Sequence, residues 1–534
     1  MTTPTITPYR PGTQAGRDRF PQLLRAEWTK FRTVRGWVIG MIVAVLVTLG
    51  LGLFAVVGSS SSCQHPGGPV RSGLACAPTF PVGPGGEPVD DNFYFVHQPL
   101  AASGSITVRV TSLTGLLPPA NANGPSGPAD TRPGLMPWAK AGIIISGGTR
   151  QGSAYAAMMV TADHGVRMQD NYINDTAGQP GPVSAASPRW LRLTRSGDTI
   201  TGYDSADGTH WTQVGAIHLT GLSSTVQAGL FTASPEYDVV SQSFGGGTSD
   251  SGGPSQATAV FDRVSRSGGW PGSTWTGSYI GAANGSGIGR YQEASGRFRV
   301  TGSGDIAPVI AGHGNEADSA TTLSTYLLGT FAGLIAVVVI ATMFVTAEYR
   351  RGLIRTTLAA SPRRGRVLAA KAIVIGSVTF VAGLAAAGAA VIFGAQIARD
   401  RSYVFPVTWM TELRVVVGTA ALLAVAAVLA VALGTVLRRS AAAVTVVIVA
   451  IVLPYILGVA SVLPLSVSDW LLRITPAAAF AVQQATPQYP QVTALYSPGS
   501  GYFPLAPWAG LAVLCGYAAL ALGLAVVLLR RRDA

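Results

Sequence analysis

The sequence predicts an α-helical membrane protein with six transmembrane helices and an extracellular all-β sandwich or jelly-roll domain inserted between the first and second. Three observations carry this. Six long charge-free runs interrupt the chain, basic residues fall on one side of them, and the long stretch between the first two runs alternates with the period of a strand. The runs are Trp37–Val57, Leu323–Thr346, Ala372–Phe393, Val415–Leu437, Ala441–Leu463 and Ala506–Leu529. Each reaches the roughly 20 residues that a helix rising ~1.5 Å per residue needs to cross ~30 Å of hydrocarbon. Only 12% of the 534 residues are charged, about half the share of a soluble protein.

The distribution of charge sets the orientation. Basic residues crowd the segment before the first run (Arg10, Arg17, Arg19, Arg25, Lys30, Arg32, Arg35) and the segment between the second and third (Arg350 to Lys371). Arg438 and Arg439 separate the fourth and fifth, and Arg530 to Arg532 follow the sixth. If the helices alternate in direction, all four segments share one side, and short loops rich in Lys and Arg stay in the cytoplasm. Both termini are therefore expected inside, residues 58–322 outside, and the protein multi-pass in the plasma membrane. The net charge of +12 belongs to this pattern and not to nucleic-acid binding. The first run is too long, and its leader too long, for a cleaved signal peptide.

Residues 1–19 mix Thr, Pro, Gly and Arg and are expected to be disordered. From residue 20 to 36, apolar Leu23, Leu24, Trp28 and Phe31 recur at helical spacing among Arg25, Glu27, Lys30 and Arg32, which predicts an amphipathic helix in the cytoplasmic membrane surface. Cys63 and Cys76 lie just beyond the first span, where an oxidising compartment permits a disulfide; two free thiols are the alternative. Cys515, inside the sixth run, reads as a small apolar residue.

Beyond a Gly/Pro/Ser-rich link, Ile106, Val108 and Val110 alternate with Thr107, Arg109 and Thr111, the signature of a half-buried strand. Further candidate strands are Ala141–Ser146, Ala154–Thr161, Trp190–Arg195, Thr199–Asp204, Val226–Thr232 and Ala257–Ser265, with Ser196-Gly197-Asp198 and Asp207-Gly208 as turns. Trp138-Ala139-Lys140-Ala141-Gly142, Arg189-Trp190-Leu191-Arg192 and Asp207-Gly208-Thr209-His210-Trp211 resemble concanavalin A-like jelly rolls over about residues 92–267. The β-rich piece 268–310 is either more of the same domain or a small second unit. No paired-carboxylate run of the glucanase type occurs, and the six histidines do not pair at metal-ligand spacing, so no catalytic or metal site is expected. Trp190 and Trp211 could stack on a sugar; core packing is the bland reading of the same residues.

The remaining residues, 323–534, form a five-helix transmembrane region with a cytoplasmic loop over 347–371. That loop reads Glu348-Tyr349-Arg350-Arg351-Gly352-Leu353-Ile354-Arg355-Thr356-Thr357-Leu358, then Pro362-Arg363-Arg364 and Lys371. It resembles the segment of type-2 ABC exporter permeases that docks onto the ATPase, with Leu353 where Thr is commoner. The helix with Glu27, Trp28, Lys30 and Phe31 is similar to that family's N-terminal interfacial helix. The resemblance implies that Glu348, Arg350, Arg351, Gly352, Arg355, Thr356, Pro362 and Arg363 meet an ABC ATPase subunit. Gly352 permits close backbone approach, and Pro362 ends a short helix. It also implies a second permease subunit, identical or not, alongside membrane lipid.

The chain has only three lysines, Lys30, Lys140 and Lys371, and none follows a glycine, so a Walker A phosphate loop is lacking. ATP and Mg would sit on the partner ATPase, with no cofactor in this chain and no enzymatic activity of its own. The six apolar runs contain no Asp, Glu, Lys, Arg or His, which disfavours an ion-coupled transporter. The rival reading is a membrane-anchored extracellular glycan-binding or sensor protein, for which five clustered spans have no evident use.

Overall fold

The computed structural model describes residues 20–59, 62–63, 71–72, 79–119, 131–243, 247–281, 288–311, 320–350, 352, 363–459, 463–494 and 496–532. Its helices are α1 (Phe20–Thr33), α2 (Arg35–Gly58), α3 (Leu323–Tyr326), α4 (Thr330–Arg350), α5 (Arg364–Arg399), α6 (Trp409–Leu437), α7 (Ser440–Val459), α8 (Leu465–Ile474) and α9 (Pro507–Arg532). Six of these, α2, α4, α5, α6, α7 and α9, are long and apolar enough to cross a membrane. A 3-10 segment, Pro476–Gln483, follows α8 and is buried along its whole length against α6 and α9.

Several helices extend past their apolar runs, so the helices carry charges that the runs themselves lack. A helix is not obliged to end where hydrophobicity ends, because its hydrogen bonds are internal and the interface tolerates polar side chains. So α5 begins at Arg364 and holds Lys371 in its interior, and α6 carries Glu412 and Arg414 in its first two turns. The Arg414 guanidinium donates to the Gln484 carbonyl at 2.6 Å, tying α6 to the end of the 3-10 segment.

The centre of the bundle is α6, which packs against α4, α5 and α9. Close approach between helices depends on small residues, as it must where lipid gives no hydrophobic drive to association. A side chain at Gly329 would meet the Thr48 carbonyl, one at Gly333 the Thr48 hydroxyl, and one at Gly52 the Tyr326 carbonyl. These contacts seat α2 against α3 and α4.

Between α2 and α3 lies a β sandwich of two antiparallel sheets. The first runs Asn174–Ala177, Val166–Asp170, Tyr155–Thr161, Lys140–Ser146, Val226–Ala233, Phe93–Leu100, Thr276–Ile280. The second runs Thr212–His218, Thr199–Ser205, Arg189–Ser196, Ser103–Leu117, Gln256–Gly268, Arg297–Gly302, Gly289–Ala294, with Arg132–Pro133 beside Ser103–Leu117. Alternate residues from both sheets, among them Ile106, Val108, Ile143, Met158, Leu191, Leu230 and Phe261, make one core. The piece after residue 268 belongs to the same domain: Thr276–Ile280 pairs with Phe93–Leu100, and Arg297–Gly302 pairs with Gln256–Gly268.

A two-stranded stem, Val89–Asp91 with Ile306–Pro308, joins the sandwich to the helices. Lys140, wholly buried, places Nζ 2.6 Å from Asp305 and donates to the Ile306 carbonyl at 3.1 Å. Asp91 accepts from the Tyr172 hydroxyl at 2.8 Å and from the Gly152 amide at 2.9 Å. Gln491, in the loop before α9, donates to the Ile173 carbonyl at 2.7 Å.

Burial raises the Asp91 carboxyl from 3.8 to about 6, although the hydrogen bonds from Tyr172 and Gly152 pull it down. Burial, and next the charge of Asp305, pushes Asp90 up as well. A carboxyl raised in the folded state contributes stability that is complete below its unfolded pKa and disappears as pH rises through the folded value. The sandwich should therefore lose stability between about pH 4 and pH 7. Asp262, lowered chiefly by its hydrogen bond from Arg109, titrates below that window. Tryptophan-fluorescence melts should show the decline, and Asp91→Asn should flatten much of it.

Candidate functional site

Four charged residues meet where α1, the last turn of α4 and the second turn of α5 converge. Lys371 Nζ lies 2.8 Å from Glu27 Oε2 and 2.6 Å from Glu348 Oε1. Lys30 Nζ lies 2.7 Å from Glu27 Oε1 and 3.2 Å from Glu348 Oε1. Each cation touches both anions, so the four form a closed alternating ring of zero net charge. The side chains of Glu27 and Lys371 are 3% and 4% exposed, Glu348 11% and Lys30 41%.

Helical geometry explains the arrangement. Glu27 and Lys30 are one turn apart on α1, so both point to one face, and Phe31 continues that face into the core. Phe31 meets the Phe344 ring edge-on at 6.3 Å, and Lys371 Nζ sits 5.2 Å over the same ring. Trp28 points away, 47% exposed, which suits the lipid interface. Burial lowers the basicity of Lys30, but the hydrogen bond and charge of Glu27, then Glu348, outweigh it and leave its pKa raised. Lys30 thus keeps its charge. Glu348 Oε2 is buried without a hydrogen bond among the described residues.

The ring clamps both ends of the 347–371 loop to the N-terminal helix. Of the loop residues singled out from sequence, Glu348 is in the ring, and Arg350 and Arg363 are exposed beside it. Gly352 has a φ of +70° with open space around its Cα, so a side chain there would be strained by conformation alone. Arg351, Arg355, Thr356 and Pro362 lie outside the described residues. Sequence reading marked Glu27, Lys30 and Glu348 but took Lys371 for the residue that opens the third span. The signal available was that Lys371, one of three lysines, stands at the edge of an apolar run.

The other singled-out positions are elsewhere. Gly208 sits against one part of the Trp190 ring system, and the Arg109 and Arg263 guanidinium carbons lie 5.6 and 5.9 Å from its centroid. Arg192 stacks 3.9 Å over Trp211. Cys63 is in a two-residue strand paired with Arg71–Ser72, while Cys76 lies outside the described residues, and with it the disulfide. Cys515 is a free, exposed thiol on α9.

A family profile described as "ABC-2 family transporter protein" matches residues 151–534. It begins inside the sandwich and takes in α3 to α9, leaving α1 and α2 outside. No curated protein matches. Among solved structures, scytalido-glutamic peptidase with a transition state analog inhibitor aligns at 8% identity and TM-score 0.26, over 41% of this chain and all of that one. SCP-B, of the eqolisin peptidases, in complex with a tripeptide, gives 10% and 0.24 over 41% and all. A functionally unknown protein from Saccharomyces cerevisiae gives 15% and 0.22 over 40% and 93%. Likenesses at these scores carry no inference about this chain.

Removing one member of a buried ion network leaves its partners uncompensated, at a cost of about 3–5 kcal/mol. Lys371→Met should lower the melting midpoint of the purified protein in detergent. Glu27→Gln combined with Lys371→Met leaves a neutral Lys30–Glu348 pair and should recover part of the loss. A single variant as stable as wild type would mean the ring is wet.

Proposed function

Because the chain belongs to the ABC-2 transporter family, we propose that it is the permease subunit of an ATP-driven exporter, powered by a separate ATPase and working as a homo- or heterodimer. The observation that carries this reading is the ring of Glu27, Lys30, Glu348 and Lys371. It joins the interfacial helix to both helices that flank the 351–363 segment, so force applied to that segment by a soluble partner reaches α4 and α5 together. A single flexible loop between independent spans would dissipate such force. The positive-inside pattern supports placing this face in the cytoplasm and the sandwich, of jelly-roll type, outside the cell. The exposed arginines at 350 and 363 suit a surface that pairs with a soluble subunit.

Purification of the tagged chain from its native membrane, in mild detergent, tests the proposal. A Walker-containing ATPase should accompany the wild type and be lost when Glu348, Arg351 and Arg355 are replaced by Ala. Repeated isolation of intact, monodisperse wild type without any ATPase would overturn the reading.

A further inference from the structure

At the opposite end of the bundle from the charge ring lies a cavity of about 640 Å³. The last turn of α5, the first turn of α6, the loop between them, α3 and the chain at residues 79–80 enclose it. Three rings build one wall: Phe80 meets Tyr403 edge-on at 4.9 Å, and Tyr403 meets Phe405 edge-on at 5.6 Å. Tyr326 forms part of another wall, held between α2 and α5 by contacts at Gly52 and Gly394.

Two oppositely charged residues lie on the border of this largely apolar space. The Arg399 and Glu412 side chains both line it, yet neither forms a salt bridge among the described residues. Tyr326 is 1% exposed, and its hydroxyl is buried without a hydrogen-bond partner. A basic residue in the last turn of α5 and an acidic one in the first turn of α6 each suit the helix dipole. The dipole accounts for their presence at those ends. It does not account for two opposite charges bordering one cavity without pairing with each other.

We propose that this cavity binds a zwitterionic phospholipid from the leaflet on the sandwich side of the bilayer. The phosphate would accept from Arg399, with the Tyr326 ring as part of the wall. The ammonium would lie against Glu412 and the aromatic wall, where cation–π attraction adds to the ion pair. The apolar remainder takes the start of an acyl chain, and the volume falls within the roughly 300–1,000 Å³ of small-molecule sites. Charge complementarity selects this occupant: an anionic lipid leaves Glu412 unanswered, and a neutral amphiphile leaves both charges so. The inference requires that the helices span a bilayer and is independent of the ATPase.

The full chain, reconstituted in nanodiscs of phosphatidylglycerol containing phosphatidylethanolamine, is released into the gas phase and its retained lipid identified by native mass spectrometry. Wild type should retain phosphatidylethanolamine selectively. Arg399→Ala and Glu412→Gln should each lower retention about tenfold, and Tyr326→Phe, which keeps the wall, should leave it unchanged. All three variants should melt as wild type does, because Tyr326→Phe keeps the ring and the two charges make no structural ion pair; a variant that melts early is replaced by Arg399→Gln or Glu412→Ala. Equal retention of phosphatidylglycerol, with no effect of Glu412→Gln, would reduce the site to an anion contact and overturn the proposal. Displacement by soluble glycerophosphoethanolamine as readily as by the lipid would overturn its lipid half. Retention unchanged across the variants would overturn it entirely.

Discussion

The low dielectric of the membrane end is the constraint on which the helical region turns. An isolated ammonium or carboxylate buried there would be too costly to keep charged. Lys371 is nonetheless almost fully enclosed, because Glu27 and Glu348 both reach it and Lys30 closes the ring. The consequence is positional. α1 is not held only by its apolar side, which would let it slide in the interface; the ring fixes it in rotation and height against α4 and α5. The 347–371 loop is therefore presented from anchored ends, whatever its own conformation.

A comparable solution mounts the sandwich. Its stem is only three residues in each strand, too short to be rigid by backbone hydrogen bonds alone. The Lys140–Asp305 pair locks the stem to the middle of a sheet, and Asp91 ties it to the Tyr172 and Gly152 loops. Gln491 adds a contact from the loop before α9. The sandwich is thus fastened to the bundle by polar contacts that a purely apolar joint could not aim.

The spans could be read from sequence because crossing a bilayer is a local requirement, satisfied or not within each run of residues. The strands around Ile106, Ile143 and Leu191 were legible for the same reason: alternation is written along the strand itself. What was not legible depends on pairing. The strand Thr276–Ile280 finds its partner in Phe93–Leu100, far earlier in the chain, and its own residues do not say whether it belongs to that sheet. Trp190 and Trp211 each have an arginine near the ring, Arg109 and Arg192, a neighbour that strand pairing supplies and the local sequence does not show. Lys371 carried no sign of its two carboxylate partners, because one lies 23 residues away and the other 344. The cavity beyond α5 was equally hidden, since Arg399 and Glu412 are unremarkable helix-end residues until the fold places them around one space.

One helix links the two polar sites. α5 has 36 residues and is about 54 Å long at ~1.5 Å per residue, well beyond the ~30 Å hydrocarbon layer. Lys371 and Arg399 stand near its opposite ends, about 42 Å apart along the axis, and no proline interrupts it. At the first end the four charges of the ring answer one another; at the second, Arg399 and Glu412 border a cavity without an ion pair among the described residues. Glycines let α5 pack closely between these ends, since Gly383 lies against the Ala420 backbone of α6 and Gly394 against Tyr326. One continuous helix thus carries a closed charge ring near one end and, near the other, an arginine unpaired among the described residues, so the two polar sites share a single rigid element.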